Sequence, residues 1–178
     1  MPQHFGEHCQ TCPYLDSRHL QESDRLFRQI PLSMEDNGAE ILLIFQAPGV
    51  KEWEEGRPVC STHPNSAGGR LASAFNQLNR TRSDYNITNT VQCYPGKRSS
   101  CRMSGKPRDE KPPVAVRNLC TNWLRLDIEA RPYRRIVVFG REAEKAVRAL
   151  GYGGDTRFTF AIHPAGGISN DSLVSCLR

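Results

Sequence analysis

A few residues in this 178-residue chain have the types and spacing to do chemistry. Cys9 and Cys12 form a Cys-x2-Cys pair in a polar segment, and Cys93 and Cys120 lie far downstream, each next to an apolar element. Four thiolates could hold a tetrahedral zinc ion or a [4Fe–4S] cluster, and spacing does not choose between them. The bland alternative for Cys93 and Cys120 is that they are small buried apolar side chains. Seven cysteines is an odd number, and nothing in the chain points to an oxidising compartment, so metal ligation is weighed before a disulfide framework. Gln46, Asn89 and His163 are polar side chains placed at or just after the ends of apolar runs. Judged alone, His163-Pro164 is an ordinary turn and Asn89 a strand-end cap.

These side chains must be positioned by elements, and the apolar pattern supplies them. Ala39 to Phe45 is an apolar run stopped by Gln46-Ala-Pro-Gly49, the pattern of a buried strand ending in a tight turn. Leu71, Ala74, Phe75 and Leu78 fall at helical spacing. Asp84 to Val91 is rich in β-branched residues and predicts a second strand, and Val116, Leu119, Cys120 and Trp123 mark a helix running to about Ala130. Arg135 to Gly140 predicts another buried strand, followed directly by a helix with Ala143, Ala146, Val147 and Leu150 on one face. Arg157 to Ile162 alternates into a last strand ending at His163. Strands alternating with helices predict a three-layer α/β/α fold with a central, mostly parallel four-stranded sheet, in one domain spanning 1–178. In such folds ligands sit outside the carboxyl ends of the strands, where Gln46, Asn89 and His163 all fall.

The composition, 38% hydrophobic and 24% charged, is that of a globular chain. No apolar run reaches the ~18 residues of a membrane span, and the polar start lacks a secretory signal, which predicts an intracellular, cytoplasmic protein and no membrane partner. The net charge is +5. Lys97, Arg98, Arg102, Lys106, Arg108, Lys111 and Arg117, against only Asp109 and Glu110, put an excess equal to that of the whole chain into one segment, 94–119. A basic excess confined to one loop suggests a polyanion contact, with a solvated basic loop as the plainer alternative. Pro95, Pro107, Pro112 and Pro113 predict that this loop is irregular.

Taken in order, Gln46-Ala-Pro-Gly49, Gly56-Arg-Pro58, Ile87-Thr-Asn89, Cys93, Cys120, Ile136-Val-Val-Phe-Gly140 and His163-Pro164 resemble the uracil-DNA glycosylase superfamily over nearly the whole chain, most closely its iron–sulfur, family-4 branch. That resemblance implies a [4Fe–4S] cluster on Cys9, Cys12, Cys93 and Cys120. It implies an enzyme that hydrolyses the bond between deoxyribose and uracil, or a related base flipped out of DNA, and the chain is expected to act as a monomer. It gives His163 the place of the residue beside the base carbonyl and Asn89 that of the reader of the base edge. Gln46, with Ala47, Pro48 and Gly49 behind it, takes the place that positions water and substrate. Lys97, Arg98, Arg102, Lys106 and Arg108 are the expected phosphate contacts.

Three departures bear on activity. Gln46 stands where the family-4 pattern has an acid, and an amide can orient water but cannot act as a general base. Trp53 aligns with a second acid, which leaves Glu52 as the preferred replacement among its neighbours. Val59 stands where a phenylalanine stacks on the base, and valine cannot supply that stacking. Extra sequence from Cys60 to Ser66 follows and could bring His63 or Asn65 to a remodelled pocket. The basic loop matches in length that of a variant branch that traps uracil covalently through a loop histidine, but it contains no histidine. Cys101 is its only strong nucleophile, and no role is assigned to Cys60, Cys101 or Cys176. The alternatives to a uracil glycosylase are therefore a weakened or non-catalytic nucleic-acid binder of the same fold, or an enzyme of altered base specificity. A filled space beside Val59 would favour the binder, and an open polar one a new substrate.

Overall fold

The computed structural model describes residues 9–15, 18, 20, 31–98 and 108–178. The strands expected from apolar runs form as β1 (Ile41–Phe45), β2 (Asn86–Asn89), β5 (Arg135–Phe139) and β6 (Phe158–Ala161). They make one sheet in the order β2-β1-β5-β6, and every pairing is parallel. β1 is buried along its whole length because it is central and covered on both faces.

Alternation along the strands separates two cores. Leu43, Phe45, Ile87, Val137 and Phe139 pack with Leu71 and Phe75 of α2 (Ala67–Gln77) and with Leu173 and Leu177 of α5 (Asn170–Leu177). Leu42, Ile44, Ile136 and Val138 face the other way, against Leu124 and Ile128 of α3 (Val114–Glu129) and Val147 of α4 (Arg141–Ala149). The result is the expected three-layer α/β/α architecture, with the sheet fully rather than mostly parallel.

Three features differ from the sequence expectation. A six-residue helix, α1 (Val50–Glu55), follows the Gln46–Gly49 turn; it buries only Trp53, too little to leave a periodic pattern. The C-terminal helix α5 is capped by the Ser169 side chain, which accepts from Ser172 N–H at 3.2 Å. The basic segment is not wholly irregular, since β3 (Lys97–Arg98) pairs antiparallel with β4 (Arg108–Asp109). Glu110 N–H closes this pair on the Gly96 carbonyl at 2.8 Å, and Gly96 has φ 89, which only glycine adopts without strain.

The chain leaves β1 in one direction to reach β2 and returns on the other side to place β5. The boundary between β1 and β5 is therefore the switch point of the sheet, and the ends of β1 and β5 open a crevice there.

Candidate active site

The carboxyl ends of β1, β5 and β6 bound a cleft of about 390 Å³ lined by Gln46, Phe139, Gly140, His163, Glu142 and the cations Lys111, Arg141 and Lys145. Gln46 enters it because its backbone is fixed from the neighbouring strand: its carbonyl accepts from Thr90 Oγ1 at 2.7 Å and from Val91 N–H at 2.9 Å.

His163 caps a one-turn 3-10 segment, Pro164–Gly166. Its Nδ1 accepts from Ala165 N–H at 3.2 Å, so the neutral ring carries its proton on Nε2. Burial holds the imidazole below the ordinary histidine range, which keeps it neutral at pH 7. The ring meets Phe45 edge to face, with centroids 5.8 Å apart. Gly140 makes room for it: a Cβ there would lie 3.4 Å from His163 Cβ, and its φ 91, ψ 154 is a conformation essentially reserved for glycine.

Asn89 is paired in register with Phe45, so by alternation its side chain is on the face of the sheet that carries the Phe45 ring and His163. It is 2% exposed, and its Oδ1 has no hydrogen-bond partner among the described residues. Buried amide oxygens are nearly always satisfied, and this open acceptor lies on the strand beside the one whose Phe45 ring meets His163.

Glu52 does not line this cleft. Its carboxylate accepts from the Gly49 and Glu52 backbone N–H groups, and burial raises its pKa. The carboxyl crowds Gly49, where a Cβ would lie 2.7 Å from Glu52 Oε2 and 3.3 Å from Asp109 Oδ2. Asp109, on β4, is likewise raised by burial although it remains open to solvent on one side. Sequence reasoning did not anticipate this meeting of two carboxyls.

Val59 is 5% exposed and packs into the core with Phe45, Leu71 and Phe75 rather than lining the cleft. Its φ of 50 is an outlier for a β-branched residue. Main-chain contacts hold it there. Arg82, paired with Glu35 at 2.8 Å, donates to the Val59 carbonyl at 2.9 Å and also to that of Pro58. On the opposite side, a Cβ on Gly68 would meet the Val59 and Ser61 carbonyl oxygens at 2.8 and 2.3 Å, and one on Gly69 the His63 oxygen at 2.2 Å. His63 and Asn65 are exposed, away from the cleft-lining set.

Of the expected phosphate contacts, Lys97 is exposed on β3, Arg98 and Arg108 lie on the paired strands, and Arg102 and Lys106 lie outside the described residues, as does Cys101. Three cations do rim the cleft, Lys111, Arg141 and Lys145; Lys111 and Lys145 both reach Glu142, at 3.1 and 3.4 Å, and Arg117 reaches the same carboxylate at 3.2 Å. Hydrogen bonding from Lys111 comes first among the causes that hold Glu142 below its ordinary value.

Cys12, Cys93 and Cys120 pack in one cluster with Tyr14, Val91 and Val116, and Cys12 N–H bonds the Cys9 carbonyl at 3.0 Å. Burial pushes the Cys120 thiol up to about 12, opposed by the Gln92 N–H on its sulfur, and Cys9 and Cys12 are near enough to raise it further. Burial also raises Cys12. Among the described residues, no three His, Cys, Asp or Glu side chains stand close enough to grip a single metal ion.

Comparison with known proteins decides the kinship. The family model described as the uracil DNA glycosylase superfamily matches residues 33–175. The chain belongs to the uracil DNA glycosylase superfamily. The superfamily match runs from the residues before β1 into α5, so it takes in the whole cleft and leaves Cys9 and Cys12 outside. The type-4 uracil-DNA glycosylase of Pyrobaculum aerophilum is 30% identical over 110 residues, 62% of this chain and 48% of that protein, so the match covers about half the length of this curated relative. No described helix is long and apolar enough to cross a membrane.

Proposed function

We propose that the protein is a DNA glycosylase that hydrolyses the N-glycosidic bond of uracil or a related base in DNA, built as one domain over 1–178. The observation that carries this reading is that a neutral, Nε2-protonated His163 and a buried, unpartnered Asn89 Oδ1 both lie at the carboxyl ends of strands in one parallel sheet. A base brought into the cleft would offer an N–H to Asn89 Oδ1 and a carbonyl oxygen to His163 Nε2–H. As the C1′–N bond breaks, its electron pair moves onto the base and spreads to that carbonyl, and the imidazole donor stabilises the charge. One such donor is worth about 10²–10³ in rate. Water then adds its oxygen to C1′, and its proton is shed to a neighbouring acceptor or to solvent. Gln46 holds that water by its amide without removing the proton.

Lys111, Arg141 and Lys145 give the cleft a cationic rim suited to DNA phosphates, beside the basic segment containing Lys97. The thiols support a [4Fe–4S] cluster on Cys9, Cys12, Cys93 and Cys120. Cys12, Cys93 and Cys120 gather in one apolar cluster, Cys9 lies near enough to Cys12 and Cys120 to act on both, and a [4Fe–4S] cluster spreads its four ligands over four irons. Burial keeps the unligated Cys12 and Cys120 thiols protonated, so metal binding there would release protons. When bound, the cluster supplies a structural cross-link between the N-terminal segment, the end of β2 and α3.

One observation favours a second reading, a nucleic-acid binder without turnover: the Val59 side chain fills core space and offers the cleft no aromatic ring from that position. Base release decides between them. Anaerobically purified protein with its visible absorption recorded, incubated with uracil-, hypoxanthine- and modified-pyrimidine-containing oligonucleotides, is expected to leave abasic sites in at least one. Binding without release from any of them would establish the binder.

A further inference from the structure

His163 is held upstream by the sheet, because Gly140 N–H bonds the Ala161 carbonyl at 2.8 Å. Downstream it leads into a short turn of Ala165, Gly166 and Gly167, whose exposed small residues contribute no packing of their own. What fixes that turn comes from elsewhere. Arg70, in the first turn of α2, donates through Nη1 to the Pro164 carbonyl and through Nη2 to the Ile168 carbonyl and to Asn170 Oδ1, the last at 2.9 Å. The two carbonyls are the two ends of the turn, and the planar guanidinium bridges them as a fork. No carboxylate among the described residues pairs with Arg70, so its charge is spent on carbonyl-type oxygens alone. Its backbone is anchored in turn, since Gly68 and Gly69 bring the start of α2 against the 59–63 carbonyls and Ser66 Oγ accepts from Gly69 N–H at 3.1 Å.

We infer that Arg70 is the positioning residue that aims His163 into the cleft, clamping the His163-Pro164 turn onto α2; this rests on the glycosylase reading above. Arg70 does not touch the base. It acts by fixing the backbone that carries Ala165 N–H, the group that selects the Nε2–H tautomer. Displacing a catalytic group by about 1 Å can cost on the order of 10²-fold in rate.

The test uses the full-length, cluster-loaded protein, a single-stranded uracil oligonucleotide and ¹⁵N-histidine NMR, with the His163 signals assigned from a His163→Gln spectrum. Arg70→Met is expected to slow single-turnover base release by at least about tenfold while the Kd for the oligonucleotide changes by less than about threefold. In the same variant the His163 ring is expected to lose its single Nε2–H tautomer and to titrate closer to a free histidine, with Arg70→Lys intermediate in both. A clamp that merely holds the fold together would lower the melting temperature and leave the ring signals where they were, and that result overturns the inference. Should Arg70→Met not fold, Asn170→Ala removes one acceptor of the guanidinium and is expected to give the same NMR change in weaker form; an unchanged ring overturns it equally. If the wild type releases no base at all, the functional reading fails, and the NMR result still judges Arg70.

Discussion

Asp127 offers a prediction in which sign and size both follow from the structure. This α3 carboxyl is buried against β2, where Oδ2 accepts from Thr88 Oγ1 at 2.5 Å and Gln92 Nε2 at 3.3 Å. Burial raises its pKa from 3.8 to about 6, against the pull of those two hydrogen bonds and with some help from Asp36. Below pH 3.8 the folded and unfolded chains are both protonated and nothing is lost. Between pH 3.8 and 6 the folded protein keeps a proton that the unfolded chain has released, so this group's contribution to stability falls as pH rises. Above pH 6 the penalty is complete, about 3 kcal/mol at 1.36 kcal/mol per unit. Asp127→Asn cannot ionise, and its amide oxygen can still accept from Thr88. Its stability relative to the wild type is therefore expected to improve by about 2 kcal/mol between pH 4 and pH 7. A constant offset from the new N–H group leaves that slope intact. Urea unfolding at four or five pH values measures it. A difference that stays flat across this range would show that the folded carboxyl titrates normally, and the argument from burial would be refuted.

Other expectations follow from the site and its supports. His163→Ala is expected to slow base release by about 10²-fold or more with little change in DNA affinity, measured by single-turnover kinetics alongside fluorescence anisotropy. Gly140→Ala forces a side chain into a glycine-only conformation 3.4 Å from His163 Cβ. It is expected to cost about 1–3 kcal/mol of stability and to lower turnover, both visible in one preparation. Glu35 is held at about 2, because the Arg82 and Arg57 hydrogen bonds outweigh the opposing effect of burial. Its stabilisation is whole above about pH 4.5 and drains away as pH falls towards 2, so Glu35→Gln is expected to cost about 2 kcal/mol at pH 7 and almost nothing near pH 2. Charge reversal at both Lys111 and Lys145 is expected to weaken oligonucleotide binding and flatten its dependence on salt, read from titrations at several ionic strengths.

The fold was legible because β1 and β5 are unbroken apolar runs, and because α3 and α4 show helical periodicity. Strand boundaries differed by two residues or fewer, since frayed ends carry no pattern of their own. α1 was missed because six residues with one buried side chain cannot establish a period, and β3 and β4 because two residues cannot alternate. The C-terminal helix did leave a signal, Ser169 as cap and Leu173, Val174 and Leu177 on one side, which went unread. At the site, Gln46 and His163 were visible as polar residues just beyond strand ends. The rest of the lining came from the fold. Gly140 matters for its backbone angles, and Lys111, Glu142 and Lys145 meet only once α3 and α4 share a face of the sheet. Arg70 was invisible for the same reason, its partners being 94 to 100 residues away. Val59 was anticipated as the odd position of its motif, but its burial in the core and its left-handed backbone depend on contacts that no local pattern encodes.

The way the 58–63 segment is fastened has a practical consequence. Its path is set by Arg82 on two carbonyls and by the glycine seam of α2, with the buried Val59 side chain and the Cys60 thiol on the Lys51 carbonyl adding to them. Such a segment is an interchangeable cassette at its exposed position: the residue at 62 could be exchanged while the track beneath it stays put. The glycines at 68 and 69 are the part no redesign should touch.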